Sequence, residues 1–363
     1  MYNFNTVVAL SKTDLIQAIQ QFARETVDAK ARNTIVANKD EKLAKINKVF
    51  AKELSARVGS EIPSENKTEL KRFSMKGTVQ EEFRYLKDIM IDAVLPIVCS
   101  ASSLNALMDL RYADYGDTIK FTVSNKALYH VTKASFKKRH AEVQKTYRTD
   151  VTLNGENHKV TVMADLYDIL QGQDYIADEV MKSAVSIEQA MFAEGYTALK
   201  TALSGANIPS QFTASVFSDT SFLTIKQRVQ AYNGGGKVVA IGTDVALSSI
   251  LPNGQSLVRI SDDSDYVRDG HFSTYKGVEL IPLEQVIDVD NQDSYGTLFD
   301  DDKIFLVSID SDKLIKGGIF GGTFSHSNNG DDNANKESLH TLEKAWEVAV
   351  VSPSVCGVIT LGQ

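Results

Sequence analysis

The residues best suited to bind a partner are the cations of one octapeptide, "KASFKKRH" at residues 133–140. Four of its side chains carry a fixed positive charge: Lys133, Lys137, Lys138 and Arg139. The whole chain has a formal net charge of -8, and the octapeptide lies between runs that alternate like β-strands. A cationic segment of this kind can bind nucleic acid, an anionic membrane or an acidic protein surface.

Nucleic acid and a membrane both fit this octapeptide poorly. Proteins that bind single-stranded nucleic acid interleave several aromatic side chains with the cations, whereas this segment offers Phe136 and, nearby, Tyr147. Basic membrane-binding segments are amphipathic helices, but the alternation here indicates strands. The sequence also has no run of about 18 apolar residues that would span a bilayer.

Other patterns that could bind ligands fall short of the motifs they resemble. "NGGGK" (233–237) lacks the spacing of a phosphate-binding loop and precedes a strand, so a turn is the simpler interpretation. "DVDNQD" (288–293) resembles the start of a calcium loop, but it lacks Gly at position six and has Phe299 at position twelve. No histidine pair has the H-E-x-x-H spacing of a zinc site, and no G-x-S-x-G elbow occurs.

Two chemical alternatives stay open. A hydrolase would need a Ser–His–Asp triad assembled in space around His130, His271 or His340. A calcium site would draw on the acidic loops, with candidate ligands Asp262, Asp263, Asp265, Asp300, Asp301 and Asp302. Cys99 and Cys356 are expected to be small buried core residues. No motif supports either alternative, so we expect no enzyme, no cofactor and no metal.

Charge is distributed unevenly along the chain. Residues 1–165 contain 26 Lys and Arg against 20 Asp and Glu, a net +6, and residues 166–363 contain 13 against 27, a net -14. Such asymmetry indicates a basic arm for nucleic acid, or contact between the basic part of one copy and the acidic part of the next. Two solvated surfaces of unlike sign are the simplest interpretation.

Three stretches have the apolar spacing of helices. Residues 12–58 repeat apolar side chains at three- and four-residue intervals, with Asn38 as a candidate break. A continuous helix there would be about 70 Å long, so it must lie across other parts of the chain or other copies. Residues 79–95 predict a helix that ends before Pro96, and residues 174–203 predict the clearest helix.

The segment 116–165 has the alternation of strands and carries nine basic and five acidic residues, a net +4. Within it, "VTLNGENHKVTV" (151–162) predicts a hairpin, because Asn154-Gly155 suits a type I′ turn. Its apolar residues are too sparse for a core of its own, and isolated ribbons are marginally stable. We therefore expect this segment to be stabilised by contact with something else.

The rest of the chain predicts a mixed α/β region. Residues 215–325 include a predicted helix over 219–232 and predicted strands over 237–243, 275–283 and 302–310. The Gly/Asn-rich run 317–336 is predicted to be flexible. Two strand-like runs, separated by Pro353, close the chain.

The order of these parts resembles the major capsid protein fold of tailed bacteriophages, which encapsulin shells share. The most telling stretch is "VTVMADLYDILQGQDYIADEVMKSAVSIEQAMFAEGYTALKTALSG" (160–205), where an extended loop returns into a long helix. "KVVAIGTDVALSSIL", "YKGVELIPL" and "KIFLVSIDSDKLIKGGIFGG" resemble the axial domain of such proteins, and "EKAWEVAVVSPSVCGVITL" resembles their final peripheral strands. The resemblance covers roughly residues 100–363.

The resemblance implies an α+β capsid fold with an N-terminal arm, a peripheral domain with a spine helix at 174–203, an extended β-loop and an axial α/β domain. The implied limits are 1–100 for the N-terminal helical arm, 101–115 with 166–214 for the peripheral domain, 116–165 for the extended β-loop, 215–325 for the axial domain and 326–363 for the C-terminal peripheral strands.

The resemblance also implies a function. Copies would form hexamers and pentamers that close into an icosahedral virion capsid around double-stranded DNA, assembled in the host cytoplasm. Partners would be a portal and, as in some family members, scaffold or decoration proteins. An encapsulin-type compartment around protein cargo is the alternative, and the net +3 of residues 1–100, with 16 basic and 13 acidic side chains, favours a genome.

In such shells the extended loop of one subunit lies over its neighbour. The resemblance therefore implies that Lys133, Lys137, Lys138 and Arg139 contact acidic surface on another copy. The candidate partners are the Asp-rich loops and three residues of the spine helix: Asp178, Glu179 and Glu188.

Overall fold

The computed structural model describes most of the chain, in ranges separated by short gaps. These ranges are 14–32, 34–101, 108–124, 145, 148–163, 166–202, 208–250, 270–283, 285–287, 295–308, 313–328, 339–351 and 355–361.

Four of the described helices come first in the chain, and the other four lie between groups of strands. The described helices are α1 Asp14–Ala31, α2 Lys39–Val58, α3 Lys67–Ser74, α4 Gly77–Ala101, α5 Leu166–Gln171, α6 Ile176–Ala202, α7 Asp219–Tyr232 and α8 Asp244–Ser248. The described strands are β1 Met108–Ala113, β2 Ile119–Ser124, β3 Arg148–Leu153, β4 Glu156–Met163, β5 Thr213–Ala214, β6 Val238–Thr243, β7 Thr274–Tyr275, β8 Val278–Leu283, β9 Lys303–Ser308, β10 Ile315–Asn328, β11 Leu339–Val350 and β12 Gly357–Thr360. The chain is thus an α+β protein.

The helices α1, α2, α4 and α6 share one apolar core. A helix buries the stripe of side chains that repeats every 3.6 residues, and the predicted stripe of α6 is buried along its length: Ile176, Val180, Ala184, Ile187 and Met191. The helix predicted over 174–203 is therefore observed, at Ile176–Ala202.

The first two helices are separate and pack on their own chain. Asn38, which precedes α2, has a left-handed φ of 52°, and this conformation cannot continue a right-handed helix. Lys42 Nζ lies 2.6 Å from Glu25 Oε2 and joins α2 to α1. Phe22 of α1 and Phe50 of α2 enter the core around α6. The predicted helical segment 12–58 thus lies across other parts of the same chain.

Helix α4 continues through Pro96 to Ala101, although the sequence predicted that it would end before the proline. A proline removes one helical hydrogen bond and usually kinks or breaks a helix. Here Val94, Leu95 and Val98 are buried on either side of Pro96 in the helical core. Tertiary packing therefore outweighs the local preference.

A four-stranded sheet with the order β1-β10-β11-β4 lies against the helices. β1 runs parallel to β10, and the other pairs are antiparallel. Ile319, Leu342 and Trp346 point from this sheet into the helical core. The face that carries these side chains is the inner face of the sheet, and the opposite face is the outer face.

The Gly-rich run predicted to be flexible forms strand β10 up to Asn328. Its glycines are needed because neighbouring side chains lie where a Cβ would be. A Cβ on Gly317 would lie 2.9 Å from Leu110 Cδ1, and one on Gly318 would lie 2.9 Å from Ile119 Cδ1. Glycine in a strand often marks such a close approach. The remainder of the run, 329–336, lies outside the described residues.

The predicted hairpin of 151–162 is wrong. β3 pairs with β2, and β4 pairs with β11 in the four-stranded sheet. Of the two turn residues, Gly155 alone has a positive φ, of 78°, whereas a type I′ turn needs two. Glu347 Oε2 accepts hydrogen bonds from the amides of Asn154 and Gly155, at 2.6 and 3.0 Å, and so anchors the point where the two strands part.

A six-stranded sheet with the order β5-β12-β9-β6-β8-β7 forms the second core, together with α7 and α8. Its central strand β6 is buried at every position. β12 pairs with β9 and β5 in this sheet. The sequence predicts that residues 326–363 act together as C-terminal strands, but β12 lies in the six-stranded sheet and β11 in the four-stranded sheet.

Candidate subunit-contact surface

The four cations Lys133, Lys137, Lys138 and Arg139 lie outside the described residues. The strands that lead to them are described: β2 and β3 form an antiparallel ribbon, paired from Ile119–Leu153 at one end to Ser124–Arg148 at the other. Contact of these cations with another copy stays a prediction. The anchoring of the ribbon and the placement of the acidic candidates can be described directly.

The base of the ribbon is packed on the outer face of the four-stranded sheet. Ile119, Phe121 and Leu153 form a small core with Phe320 and Ala345. Burial of this apolar area, at about 25 cal/mol per Å², attaches the ribbon to its own subunit at one end.

Two cations border Phe121 at this base. The guanidinium carbon of Arg111 lies 4.1 Å from the ring centroid, and Lys316 Nζ lies 5.4 Å from it. Lys316 is buried, and its Nζ lies 3.5 Å from Asp109 Oδ2. A cation over an aromatic ring is attracted by the ring quadrupole, so the junction of ribbon and sheet is fixed by charge as well as by packing.

The ribbon is polar on its exposed side. Lys120 Nζ lies 2.8 Å from Asp150 Oδ2, and the Thr122 hydroxyl donates to Asp150 Oδ1 at 2.7 Å. These hydrogen bonds hold the pKa of the Asp150 carboxyl below its usual value. The exposed side therefore carries paired charges and presents little apolar surface to solvent.

Two acidic candidates on α6 have partners within the chain. Asp178 Oδ1 lies 3.2 Å from Lys39 Nζ of α2, and Glu179 forms an ion pair with Lys87 of α4. Lys87 is 2% exposed, so Glu179 neutralises a buried ammonium group, which would be costly to leave unpaired. The structure therefore gives Glu179 a role inside the helical layer.

The third candidate, Glu188, lines a cleft of about 280 Å³ between α1, α4 and α6. The floor of the cleft is apolar and includes Val98 and Phe192. Cys99 lies near Glu188, and burial raises the pKa of its thiol to about 12, with the Glu188 carboxylate adding to the effect. Cys99 is thus a thiol at neutral pH and a poor nucleophile.

Two carboxylates of α4 hold the helix to the four-stranded sheet. Asp92 accepts hydrogen bonds from Lys344 Nζ at 2.7 Å, from the Thr323 hydroxyl at 2.6 Å and from the Thr323 amide at 2.9 Å. One turn earlier, Asp88 accepts from the Ser325 amide at 3.0 Å. Lys344 is buried, and its Nζ also donates to the Gly321 carbonyl at 3.0 Å. We call Asp88, Asp92 and Lys344 the α4–sheet clamp.

A stacked pair joins strand β4 to the spine helix. His158 of β4 lies flat on Trp346, with ring centroids 3.8 Å apart and planes 6° apart. Glu194 of α6 accepts from Trp346 Nε1 at 2.9 Å and lies 3.4 Å from His158 Nδ1. Burial raises the pKa of the Glu194 carboxyl. These contacts fix the inner face of β4.

Asp300 and Asp301, in the described part of the acidic loops, have partners within the chain. Asp300 lies 2.9 Å from Lys200 Nζ and 2.6 Å from Lys303 Nζ, and Asp301 accepts from the Gln285 amide at 2.9 Å. The lysines lower the pKa of the Asp300 carboxyl against the effect of its burial. Among the described residues, no group of three or more His, Cys, Asp or Glu is placed to hold a metal ion.

The histidines proposed for a hydrolase are not brought together. His271 lies 3.7 Å from Asp244 of α8 in the region of the six-stranded sheet. His340 lies on β11 against Phe83 of α4, with ring centroids 5.7 Å apart. His130 is outside the described residues. "NGGGK" forms the turn between α7 and β6, where Gly234 and Gly235 have positive φ.

Comparison with models of known protein families identifies the family of this chain. Residues 11–360 match the family model described as "SPbeta prophage-derived putative capsid protein YonB". The chain belongs to the YonB capsid protein family. The match spans nearly the whole sequence and confirms the predicted resemblance to phage capsid proteins. This YonB family member is thus a structural protein of a phage-type shell.

Solved structures similar to this YonB family member include several capsids. The mature capsid of bacteriophage PhiM1 is 10% identical, covers 72% of this chain and 87% of its own, and has a TM-score of 0.44. A structure from Mycobacterium phage Che8 is 14% identical, covers 67% of this chain and 84% of its own, and has a TM-score of 0.41. A virus-like particle from Pyrococcus furiosus is 10% identical, covers 73% and 95%, and has a TM-score of 0.42. Among curated proteins, none matches significantly.

Sequence reasoning missed the α4–sheet clamp and the His158–Trp346 stack. The spacing of Asp88 and Asp92 places both carboxylates on one helical face, and this signal was available. Their partners, Ser325 and Thr323, lie more than 200 residues away in sequence, and no local pattern reveals them.

No helix among the described residues is long and apolar enough to cross a membrane.

Proposed function

We propose that this chain is a major capsid protein whose copies form hexamers and pentamers and close into an icosahedral shell around double-stranded DNA. The observation that carries the proposal is the match to a capsid protein family over residues 11–360. The architecture supports it, because the ribbon is anchored to its subunit at the base and leads to the cationic segment at 133–140.

The subunit is suited to building a lattice because its two cores are separate from the ribbon. The helical layer and the six-stranded sheet each bury an apolar core within the chain. The ribbon shares a much smaller core of six buried residues. A ribbon with so little apolar area of its own is marginal, and a neighbouring subunit would supply further surface for it.

Portal, scaffold and decoration proteins, the packaged genome and assembly in the host cytoplasm belong to the same proposal. The charge of the N-terminal region supports a genome inside the shell, since residues 1–100 carry a net +3 from 16 basic and 13 acidic side chains. Basic protein surface neutralises phosphate and releases counterions.

Electron microscopy of the chain expressed alone tests the proposal. We expect closed shells or rings of five and six subunits in negative stain. Shells that form with protein cargo and exclude nucleic acid would support a compartment in place of a virus. A chain that remains monomeric at high concentration would contradict the proposal in both forms.

A further inference from the structure

The two edges of the four-stranded sheet are built differently. On one side the edge strand is β1, a short strand of six residues that pairs with β10 from Ile315 to Phe320, and β10 then continues to Asn328. Beyond the end of β1, the amides of Thr323 and Ser325 donate to the α4 carboxylates of the clamp. Natural proteins protect unpaired strand edges in this way, because free amides and carbonyls can pair with another chain.

On the other side the sheet ends with β4, and this edge is open. β4 pairs with β11 in unbroken register from Glu156–Trp346 to Met163–Leu339. In the part of the chain that the structure describes, no backbone group of another element hydrogen-bonds to the edge of β4 that faces away from β11. The side chains along it are largely exposed: Glu156, Asn157, Lys159, Val160 and Thr161.

Side-chain contacts with the neighbouring strand β11 hold β4 in a straight conformation. His158 is stacked on Trp346, Lys159 Nζ lies 2.5 Å from Glu343 Oε1, and the hydroxyls of Thr161 and Thr341 lie 3.1 Å apart. The pairing shows no bulge, although a bulge is a common device for turning an edge away from a partner. β-branched residues in the run 160–162 favour the extended conformation.

We propose that the edge of β4 that faces away from β11 binds a strand from a second copy of this chain, so that the four-stranded sheet continues across a subunit boundary. Strand addition uses main-chain hydrogen bonds for affinity, and an unbulged edge of eight residues supplies them. The inference rests on the proposed function, because a shell gives every subunit a neighbour in a fixed position. An edge of this length without such a neighbour would pair without control.

Hydrogen exchange on the assembled and dissociated full-length chain tests the proposal. We expect amides in the peptide that covers residues 156–163 to exchange about tenfold more slowly in the assembled particles. The peptide that contains Thr323 and Ser325 is the internal control, because α4 covers these amides within each subunit. Its exchange should change little on assembly.

A pair of substitutions tests the same edge by function. The native Lys159 of β4 is paired with Glu343, whereas an added lysine at position 160 brings a further charge to the edge strand. Such a charge disfavours pairing with another chain, so Val160→Lys should reduce the yield of particles about tenfold and leave the circular dichroism spectrum of the subunit unchanged. Val245→Lys adds the same charge at an exposed valine of α8, and this variant should assemble like the unmodified chain.

The outcomes separate the two proposals. Particles whose β4 amides exchange as fast as those of free subunits would overturn strand addition and leave the shell intact. Equal loss of particles in both lysine variants would also overturn it, since the added charge alone would then explain the loss. A chain that forms no assembly would overturn the strand addition and the proposed shell together.

Discussion

At the scale of single residues, buried charges are the main device that joins the helices to the sheet. Lys87 and Lys344 are almost fully buried, and each lies against a carboxylate from another element. A buried ion pair adds little net stability, but removal of one partner leaves an unpaired charge and costs about 3–5 kcal/mol. Asp88 differs from the carboxylates of these ion pairs, because burial makes its ionised form unfavourable.

The clamp residue Asp88 should make stability depend on pH. Burial raises the pKa of this carboxyl from 3.8 to about 6, and the nearby Asp92 carboxylate adds to the shift. A raised pKa means that the folded state holds the proton more tightly. The contribution of this group to stability is therefore full below pH 3.8 and is lost as the pH rises through about 6.

Asp88→Asn keeps the shape of the side chain and removes the charge. We expect it to raise the free energy of unfolding at pH 7.5 by about 1–2 kcal/mol and to flatten the difference between pH 7.5 and pH 5. Asp92→Asn is the matched control one turn away, and it should lose about 3 kcal/mol because it leaves Lys344 without its carboxylate. Urea denaturation gives both values, and a destabilised Asp88→Asn variant at pH 7.5 would contradict the assignment.

The cations of the octapeptide should act between copies. Lys137→Glu, Lys138→Glu and Arg139→Glu together should reduce assembly strongly and leave the unfolding of the subunit unchanged, because the proposed partners lie on another copy. Each exposed pair is worth only about 0–1 kcal/mol, so all three are reversed at once. Particle yield and thermal unfolding are measured side by side, and normal assembly of the triple variant would refute the proposed contact.

At the scale of elements, the sequence predicted those whose signal is local. The helix predicted over 219–232 is observed at Asp219–Tyr232, begun by a capping box between Ser218 and Ser221. The apolar run of β6 is a buried strand as predicted. The hairpin failed because Asn154-Gly155 is a local turn signal, whereas the pairing of β4 with β11 is set by contacts about 180 residues apart in sequence.

Gly155 lies between β3 and β4, where the chain passes from pairing with β2 to pairing with β11. Alanine there would have to accept a φ of 78° and a Cβ 2.6 Å from Phe320 Cδ2. We expect Gly155→Ala to cost about 2–4 kcal/mol, from strain and from displacement of the ring. Gly172→Ala is the control, since Gly172 has a φ of 77° with nothing within 4 Å, and it should cost about 1–2 kcal/mol. Equal losses in denaturant unfolding would show that the contact with Phe320 is unimportant.

At the scale of the whole molecule, the sequence pointed to a shell through the order of its parts, and the family match confirmed a capsid protein. Their charge and the resemblance predict Asp178, Glu179 and Glu188 as contacts with another copy, and the structure gives Asp178 and Glu179 partners within the chain. Sequence does not distinguish an acid that faces a neighbour from one that neutralises a buried lysine. That distinction depends on the packing of helices far apart in sequence.

The central claim is that copies of this chain assemble with one another. Sedimentation velocity of the purified chain over a range of concentrations measures this directly. We expect a closed species many times heavier than the 39.9 kDa subunit, formed cooperatively above a threshold concentration. A single species of 39.9 kDa at every concentration would contradict the account.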